Sequence, residues 1–313
     1  MSKPGDAIAV VGPTASGKSA LALALARRLG GVVINADALQ VYRDLKIVTA
    51  RPSAADEALV PHRLYGVLDA AEACSAGIWR ALALAAIAQA RTEGLRPILV
   101  GGTGLYLKAL VEGLAPVPPV PAALRASVLA RLERDGPEAL HAELAARDPA
   151  GAARLRPRDR QRLARALEVL EATGRPLSAW QALPAPAPGP GVRVIVLLPP
   201  RALLHSAIAA RLERMLDAGA LQEIAALLAR GLDPGLPAMK AVAVRELAAH
   251  VRGEAELKPA LAAAQAATRR YAKRQETWFR HQIAAGGGKF ISVTFISEQY
   301  SSKMMPDILS KVT

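Results

Sequence analysis

The sequence predicts an α/β fold in which a parallel sheet core, flanked by helices, contains an inserted all-helical domain. Short apolar runs alternate with amphipathic helical patterns, as in parallel sheets covered by helices. Two proline-rich segments, "APVPPVP" at 115–121 and "ALPAPAPGPG" at 182–191, enclose a stretch with helical patterns only. Because proline fixes φ and lacks an N–H donor, we expect both segments to be extended linkers.

The strands of the core are predicted at residues 8–11, 31–34, 97–100 and 192–198, where short apolar runs occur. Helical patterns connect them, and a long alanine-rich helix is predicted over 259–282. We therefore expect a core domain formed by residues 1–114 and 192–285 and a helical insertion at 115–191. Residues 286–313 form an atypical tail, in which arginine disappears and Lys, Ser, Phe and Met dominate.

A phosphate-binding loop is predicted directly after the first strand. The segment "GPTASGKS" matches G-x-x-x-x-G-K-[ST] and precedes a helical pattern, so the core is expected to be P-loop NTPase-like. Backbone N–H groups of such a loop surround phosphate oxygens, Lys18 supplies a cation, and the Ser19 hydroxyl can bind Mg²⁺. The predicted phosphate-binding residues are Gly12, Pro13, Thr14, Ala15, Ser16, Gly17, Lys18 and Ser19.

Asp37 is the candidate general base. The strand at 97–100 ends in Gly101 and Gly102 and offers no acidic residue, whereas Asp37 follows the second strand. An aspartate at that place can accept the proton of a nucleophile that attacks a phosphate ester. A helix N-cap is the structural alternative for Asp37. The local pattern leaves both interpretations open.

The charge balance favours a polyanionic partner. The 313 residues contain 40 Lys and Arg against 27 Asp and Glu, a net charge of +13. One basic stripe is Arg158, Arg162 and Arg165, and "RRYAKRQETWFR" near the C-terminus surrounds aromatic rings with basic side chains. Such mixtures suit single-stranded RNA. A solvated helix face or an arginine-rich composition without functional meaning remains an alternative.

Other classes of protein are disfavoured. A single cysteine, Cys74, excludes an internal disulfide, and five scattered histidines make a zinc site unexpected. The N-terminus lacks the apolar stretch of a signal peptide, and no run of eighteen apolar residues is present. We therefore expect a soluble cytoplasmic protein without a membrane partner.

Six segments together resemble the tRNA dimethylallyltransferase family, also called IPP transferases. In the family order, they are "GPTASGKS" from Gly12, "NADALQVYRDLKIVTARP" from Asn35, "PHRLYGVLD" from Pro61, "LVGGTGLYLKALVEGL" from Leu99, "RDRQRLARALEVLEATGRPLS" from Arg158 and "RRYAKRQETWFR" from Arg269. They cover nearly the whole chain up to about Arg280. Several motifs in order are far more specific than the phosphate loop alone.

The resemblance implies transfer of the dimethylallyl group of dimethylallyl diphosphate to the N6 amine of the adenine 3′ of the anticodon, in tRNAs that read codons beginning with U. The loop at 14–19 would bind the diphosphate with Mg²⁺, in place of ATP, and Asp37 would accept a proton from the amine. The implied partners are dimethylallyl diphosphate and the tRNA anticodon stem-loop, and the implied state is a monomer.

By matching position, the resemblance assigns catalysis to Asp37, Ser19 and Lys18. The implied tRNA-binding residues are Asp37, Ala38, Leu39, Gln40, Thr103, Arg125, Gln161, Arg162, Leu163, Ala164, Arg165, Arg270, Lys273 and Arg274. The chain departs from the family pattern in that Ala38 replaces a usual Ser, Val48 a usual Gly, and Ala243 and Val244 a common Gly-Tyr pair. The tail matches no family pattern.

Two rival functions use parts of the same sequence. A small-molecule P-loop kinase would share the phosphate loop and Asp37 but would need no basic stripes. A non-catalytic RNA-binding protein would need neither an intact Lys18 nor Asp37.

Overall fold

The computed structural model describes residues 6–184, 189–283, 290, 292–297 and 302–312. Its centre is a parallel sheet of six strands in the order β3-β2-β4-β1-β5-β6. The strands are β1 Ala7–Val11, β2 Gly31–Asn35, β3 His62–Arg63, β4 Arg96–Gly101, β5 Val192–Leu197 and β6 Ser292–Ile296. The predicted fold class is confirmed, although the sequence did not predict β3 or β6.

The helices follow the strands in alternation through the first part of the core. They are α1 Lys18–Leu29, α2 Ala54–Leu59, α3 Ala76–Thr92, α4 Gly104–Glu112, α5 Ala122–Arg147, α6 Pro149–Ala152, α7 Arg160–Thr173, α8 Leu177–Gln181, α9 Arg201–Asp217, α10 Ala220–Ala229, α11 Val244–Val251, α12 Leu257–Trp278 and α13 Met305–Val312. A π-helical turn, Phe279–Ile283, continues α12. No helix in this described part is long and apolar enough to cross a membrane.

Both faces of the sheet are buried, because successive side chains of a strand point to opposite faces. In β1, Ile8 and Val10 pack in one cluster with Leu21 and Leu25 of α1. Ala7, Ala9 and Val11 point into the larger cluster on the opposite face. All five residues of β1 are buried, which explains why the strand is a continuous apolar run.

The chain divides into two compact units. Unit 1 comprises Met1–Val111 and Gly189–Thr313 and contains the sheet, whereas unit 2 comprises Glu112–Pro188 and has helices but no strand among its described residues. In unit 2, α5 is interrupted at Gly136 (φ 82°, ψ 167°) directly before Pro137. Leucines of α5 and α7 form its core. Residues 185–188 of the second predicted linker lie outside the described residues.

The tail adds a strand and a helix to unit 1. Strand β6 pairs with β5 over the register Arg193↔Ser292 to Leu197↔Ile296. Ile296 and Ile308 of α13 are buried in the cluster that contains Ile8. The strand was not predicted because the composition changes abruptly in the tail, although its segment "SVTFI" is rich in residues that favour strands. Residues 284–289, 291, 298–301 and 313 of the tail region lie outside the description.

Candidate active site

Three segments meet at the carboxyl edge of the sheet, because β2, β4 and β1 are neighbours and parallel. They are the phosphate loop after β1, residues 35–37 at the end of β2, and residues 101–103 at the end of β4. The Ala36 N–H donates to the Val100 carbonyl at 2.7 Å, and the Ala38 N–H donates to Thr103 Oγ1 at 2.9 Å. The sheet thus brings the predicted phosphate loop and Asp37 to one edge.

Lys18 stands in the first turn of α1, directly after the phosphate loop. Its ammonium is buried and donates to the Pro13 carbonyl at 3.2 Å. Burial lowers the pKa of Lys18 from 10.5 to about 8, while the Asp37 carboxylate acts in the opposite direction. Ser16 is fully buried, and its Oγ has no hydrogen-bond partner in the described structure. The loop therefore has a cation and an unused donor available for an anion.

We expect the affinity for inorganic diphosphate to fall as pH rises through about 8, because Lys18 then loses its charge in the free protein. Titration calorimetry across that range measures the effect. Lys18→Arg is the control, since its guanidinium stays protonated and any remaining pH dependence belongs to the ligand. Identical pH profiles for the two proteins would contradict the role of Lys18.

The backbone at Asp37 is fixed by Asn35, a buried residue that the sequence analysis missed. Asn35 Nδ2 donates to the carbonyls of Asp37 and Leu64, both at 3.0 Å, and its Oδ1 accepts from the Asp37 N–H at 2.8 Å. The Trp79 indole donates to the Asn35 carbonyl at 2.9 Å. Trp79 in turn stacks on Tyr106 with ring centroids 4.4 Å apart.

The Asp37 carboxylate does not cap a helix. Oδ1 accepts from the Leu39 N–H at 3.0 Å in a local turn, and the next helix begins only at Ala54. The N-cap interpretation is therefore wrong. The second carboxylate oxygen makes no hydrogen bond to any residue that the structure describes, so it is available to a ligand.

Arg211 of α9 is a second cation at this edge, and the sequence analysis missed it. Its guanidinium donates to Thr14 Oγ1 of the phosphate loop. Burial lowers the pKa of Arg211 to about 10, with the Asp37 carboxylate opposing that shift. Within the described chain, no carboxylate forms an ion pair with it. Arg211 lies within the apolar stripe of α9, between Ile208 and Met215. A charged residue in an apolar stripe was the feature of the sequence that could have indicated a functional role.

Gln275 of α12 connects the phosphate loop to β4. Its Oε1 accepts from the Thr14 N–H at 2.8 Å, and its Nε2 donates to the Gly102 carbonyl at 2.9 Å. A Cβ at Gly102 would lie 2.1 Å from Gln275 Nε2, and one at Gly104 would lie 2.1 Å from Trp278 Cε3. The glycines of "GGTG" therefore permit the close approach of α12.

Thr14, Asp37 and Arg211 share a cavity that is lined by polar and apolar side chains in equal number. The residues lining it are Thr14, Asp37, Leu39, Val48, Thr49, Arg211, Leu212, Met215, Val242, Ala243, Thr268 and Tyr271. Burial, and then the Asp37 carboxylate, raise the pKa of Tyr271, so its hydroxyl stays protonated. Ala243 has φ 72°, a conformation that strains L residues but not glycine, which explains the Gly of the family pattern there.

The predicted tRNA-binding residues of unit 1 surround this cavity or flank it. Gln40 Nε2 donates to the Thr49 carbonyl at 2.8 Å, while Asp37 and Leu39 line the cavity. On α12, Arg270 and Arg274 face a groove of about 710 Å³ shared with Lys240 and Arg245. Lys273 lies in a second groove, which Arg270 also lines together with Arg201, His205 and Arg269.

In unit 2, the predicted residues differ in exposure. Gln161 and Arg162 are exposed, and Arg125 and Arg165 both pair with Glu168, at 3.7 and 3.4 Å. Leu163 and Ala164 are 0% and 3% exposed in the helical core, so their side chains are not available at the surface. Arg158 precedes α7 and pairs with Glu138 at 2.8 Å, so the predicted stripe is not one helix face.

The oxygen atoms near the phosphate loop suit a hard cation such as Mg²⁺ that is held chiefly by the phosphate groups of a bound ligand. The Ser19 hydroxyl is exposed at the start of α1 and lines a cavity with Asp56 and Gln40. Mg²⁺ commonly takes few protein oxygens together with phosphate oxygens and water. Among the described residues, no three His, Cys, Asp or Glu side chains form a metal-binding group.

Comparison with known proteins defines the family. The family model for IPP transferase matches residues 40–282. A tRNA dimethylallyltransferase of Nitrobacter hamburgensis is 59% identical over 280 residues, covering 89% of this chain and 88% of that protein. One of Rhodospirillum rubrum is 55% identical over 312 residues, 98% of this chain and 95% of that protein, so the tail is included.

Two solved structures are similar over nearly the whole chain. A tRNA isopentenylpyrophosphate transferase of Bacillus halodurans has a TM-score of 0.68 at 30% identity and covers 98% of this chain and 95% of its own. A eukaryotic dimethylallyltransferase, described as acting on tRNA, has a TM-score of 0.81 at 25% identity, covering 97% of this chain and 79% of its own. The chain therefore belongs to the IPP transferase family.

Proposed function

We propose that this protein transfers the dimethylallyl group of dimethylallyl diphosphate to the exocyclic N6 amine of an adenine 3′ of a tRNA anticodon. The observation that supports it best is the cavity lined by Asp37, Arg211 and the phosphate-loop residue Thr14 together with apolar side chains. A carboxylate that can accept a proton, a cation for the leaving diphosphate and apolar surface for the allylic group suit the alkylation of an amine by an allylic diphosphate.

The phosphate loop, Lys18 and Arg211 bind the diphosphate in this proposal. As the bond between the allylic carbon and the diphosphate oxygen breaks, negative charge grows on the leaving group. Lys18 is buried and Arg211 is half-buried near Thr14, so solvent screens them only in part from that charge. The Ser19 hydroxyl would hold Mg²⁺, which would supply further positive charge at the leaving group.

Asp37 accepts the proton of the nucleophile. The N6 amine is a weak nucleophile because its lone pair is delocalised into the purine ring. A carboxylate oxygen that makes no hydrogen bond in the described structure can take the amine proton as the new C–N bond forms. Leu212, Met215 and Val242 supply apolar surface for the dimethylallyl group and exclude water from it.

The RNA surface proposed for unit 1 is α12 with its two basic flanks. Tyr271 lines the cavity, while Arg274 lines one groove, Arg269 and Lys273 line the other, and Arg270 lines both. Phosphates of an anticodon stem-loop can therefore bind on both sides of an adenine that enters the cavity. On unit 2, Gln161 and Arg162 are exposed and are proposed to contact the same RNA. One chain supplies every group that the proposal needs.

We expect tRNA binding to weaken steeply from low to moderate salt, because several phosphates are neutralised by Lys and Arg. Filter binding at a series of salt concentrations gives the slope. Replacing Arg270 and Arg274 together by Gln should reduce the slope by about two. A tRNA affinity that does not depend on salt, or a slope that these substitutions leave unchanged, would remove α12 from the RNA surface.

The deciding experiment is incubation with Mg²⁺, labelled dimethylallyl diphosphate and unmodified tRNA that has adenine 3′ of its anticodon, followed by nucleoside mass analysis. The expected product is N6-isopentenyladenosine with release of diphosphate. Phosphoryl transfer from ATP to a small alcohol without RNA would favour a kinase instead. Tight tRNA binding without any modified nucleoside would favour a non-catalytic RNA-binding protein.

A further inference from the structure

We propose that Glu223 is a positioning residue that fixes the part of the cavity wall formed by Val48 and Thr49. Glu223 is not among the residues that line the cavity, so it would act through the segment 46–49. The kinetic part of this inference rests on the proposed function, whereas its structural part does not.

The first observation is a set of three consecutive hydrogen bonds. Glu223 lies in the first turn of α10, and its Oε2 accepts from the N–H groups of Lys46 and Ile47, both at 2.8 Å. Its Oε1 accepts from the Val48 N–H at 2.9 Å. A carboxylate that accepts three backbone N–H groups is strongly held by charge-assisted bonds, and it restricts the backbone it binds.

The second observation is that the far end of α10 holds the same region. Arg230, directly after α10, forms ion pairs with Asp44 and, at 2.6 Å, with Asp69. Gln40 Nε2 donates to the Thr49 carbonyl at 2.8 Å. Segment 46–49 is therefore bound by Glu223 and Gln40, while Arg230 holds Asp44, two residues before it.

The position of this wall matters because Val48 and Thr49 face the same cavity as Asp37 and Arg211. A bound allylic group must present its reactive carbon between the diphosphate and the amine. A displacement of the wall by about 1 Å is enough to cost a large part of the rate. Glu223 thus governs how well the donor is placed, while tRNA affinity depends on the basic residues of α12.

Glu223→Ala and Glu223→Gln test this proposal in the full-length protein. We expect kcat/KM for dimethylallyl diphosphate to fall about tenfold in Glu223→Ala, with tRNA affinity within about twofold of the wild type. Glu223→Gln keeps the shape and one acceptor oxygen but places an NH₂ group against a backbone N–H, so an intermediate loss is expected. Glu256→Ala, which removes an exposed carboxylate without a cap hydrogen bond, is the matched control.

Amide hydrogen exchange gives a readout that does not depend on activity. We expect faster exchange at Lys46, Ile47 and Val48 in Glu223→Ala, with β1 unchanged. Unchanged exchange would overturn the structural part. Two outcomes would overturn the positioning role. One is kinetic constants within about twofold of the wild type, and the other is an equal loss of kcat/KM for the donor and of tRNA affinity together with a lower melting temperature. A wild-type protein that makes no isopentenyladenosine would instead refute the proposed function.

Discussion

The Asp37→Asn variant is expected to turn over at least about 10²-fold more slowly than the wild type while binding tRNA with an affinity within a few-fold of it. Asparagine keeps an Oδ1 atom that can accept from the Leu39 N–H, so the local turn is preserved. Its amide cannot accept the amine proton at neutral pH. The loss should therefore appear in the chemical step and spare the binding of RNA.

Single-turnover kinetics with saturating donor measure that step, and filter binding measures tRNA affinity. Asp217→Asn, at the exposed end of α9, is the control for loss of one negative charge. Asp37→Ala should lose as much activity, since Asn already removes the base. Equal turnover of Asp37→Asn and the wild type would exclude Asp37 as the base.

Arg211→Met is expected to lower kcat/KM for dimethylallyl diphosphate by about 10²- to 10³-fold, because one charged donor to the leaving group is removed. Methionine fills a similar volume without a charge. Arg211 is half-buried without an ion-pair partner in the described structure, so its removal should not lower the melting temperature. Loss of activity together with unchanged or higher stability separates a functional cation from a structural one.

The matched control is Arg214→Met, three residues further along α9, where the side chain is exposed. Arg211→Lys should recover only part of the activity, because an ammonium lacks the planar guanidinium donors. Steady-state kinetics with thermal unfolding on the same samples complete the comparison. Similar losses in the variants at positions 211 and 214 would indicate a general effect of charge instead of a local one.

The groups that the sequence predicted are those defined by a local pattern. The octapeptide at 12–19 lies between β1 and α1, and Asp37 follows β2 by two residues. Both could be placed because a phosphate loop and a strand-end acid require only neighbouring residues. Arg211 and Gln275 contact Thr14 across 197 and 261 residues of sequence, so no local pattern could pair them with the loop.

The parts of the fold that were missed have similar causes. Strand β3 has two residues, too few for any periodic pattern. Strand β6 contains β-branched residues, but it follows an abrupt change in composition and was therefore not predicted. In unit 2, the ion pairs and the burial of Leu163 depend on the interruption of α5 at Gly136. The spacing of charged residues in the sequence does not indicate where a helix is interrupted.

The two hydrogen bonds of Gln275 have a consequence for thermodynamic linkage. One side chain of α12 binds the amide of Thr14 and the carbonyl of Gly102, while the same helix presents Arg270 and Arg274 at the surface. A polyanion bound to α12 can change the affinity of the phosphate loop for its anion by some factor. By linkage, that anion must then change the affinity of α12 for the polyanion by the same factor. Such reciprocity means that the coupling between two substrates has the same size whichever of them binds first.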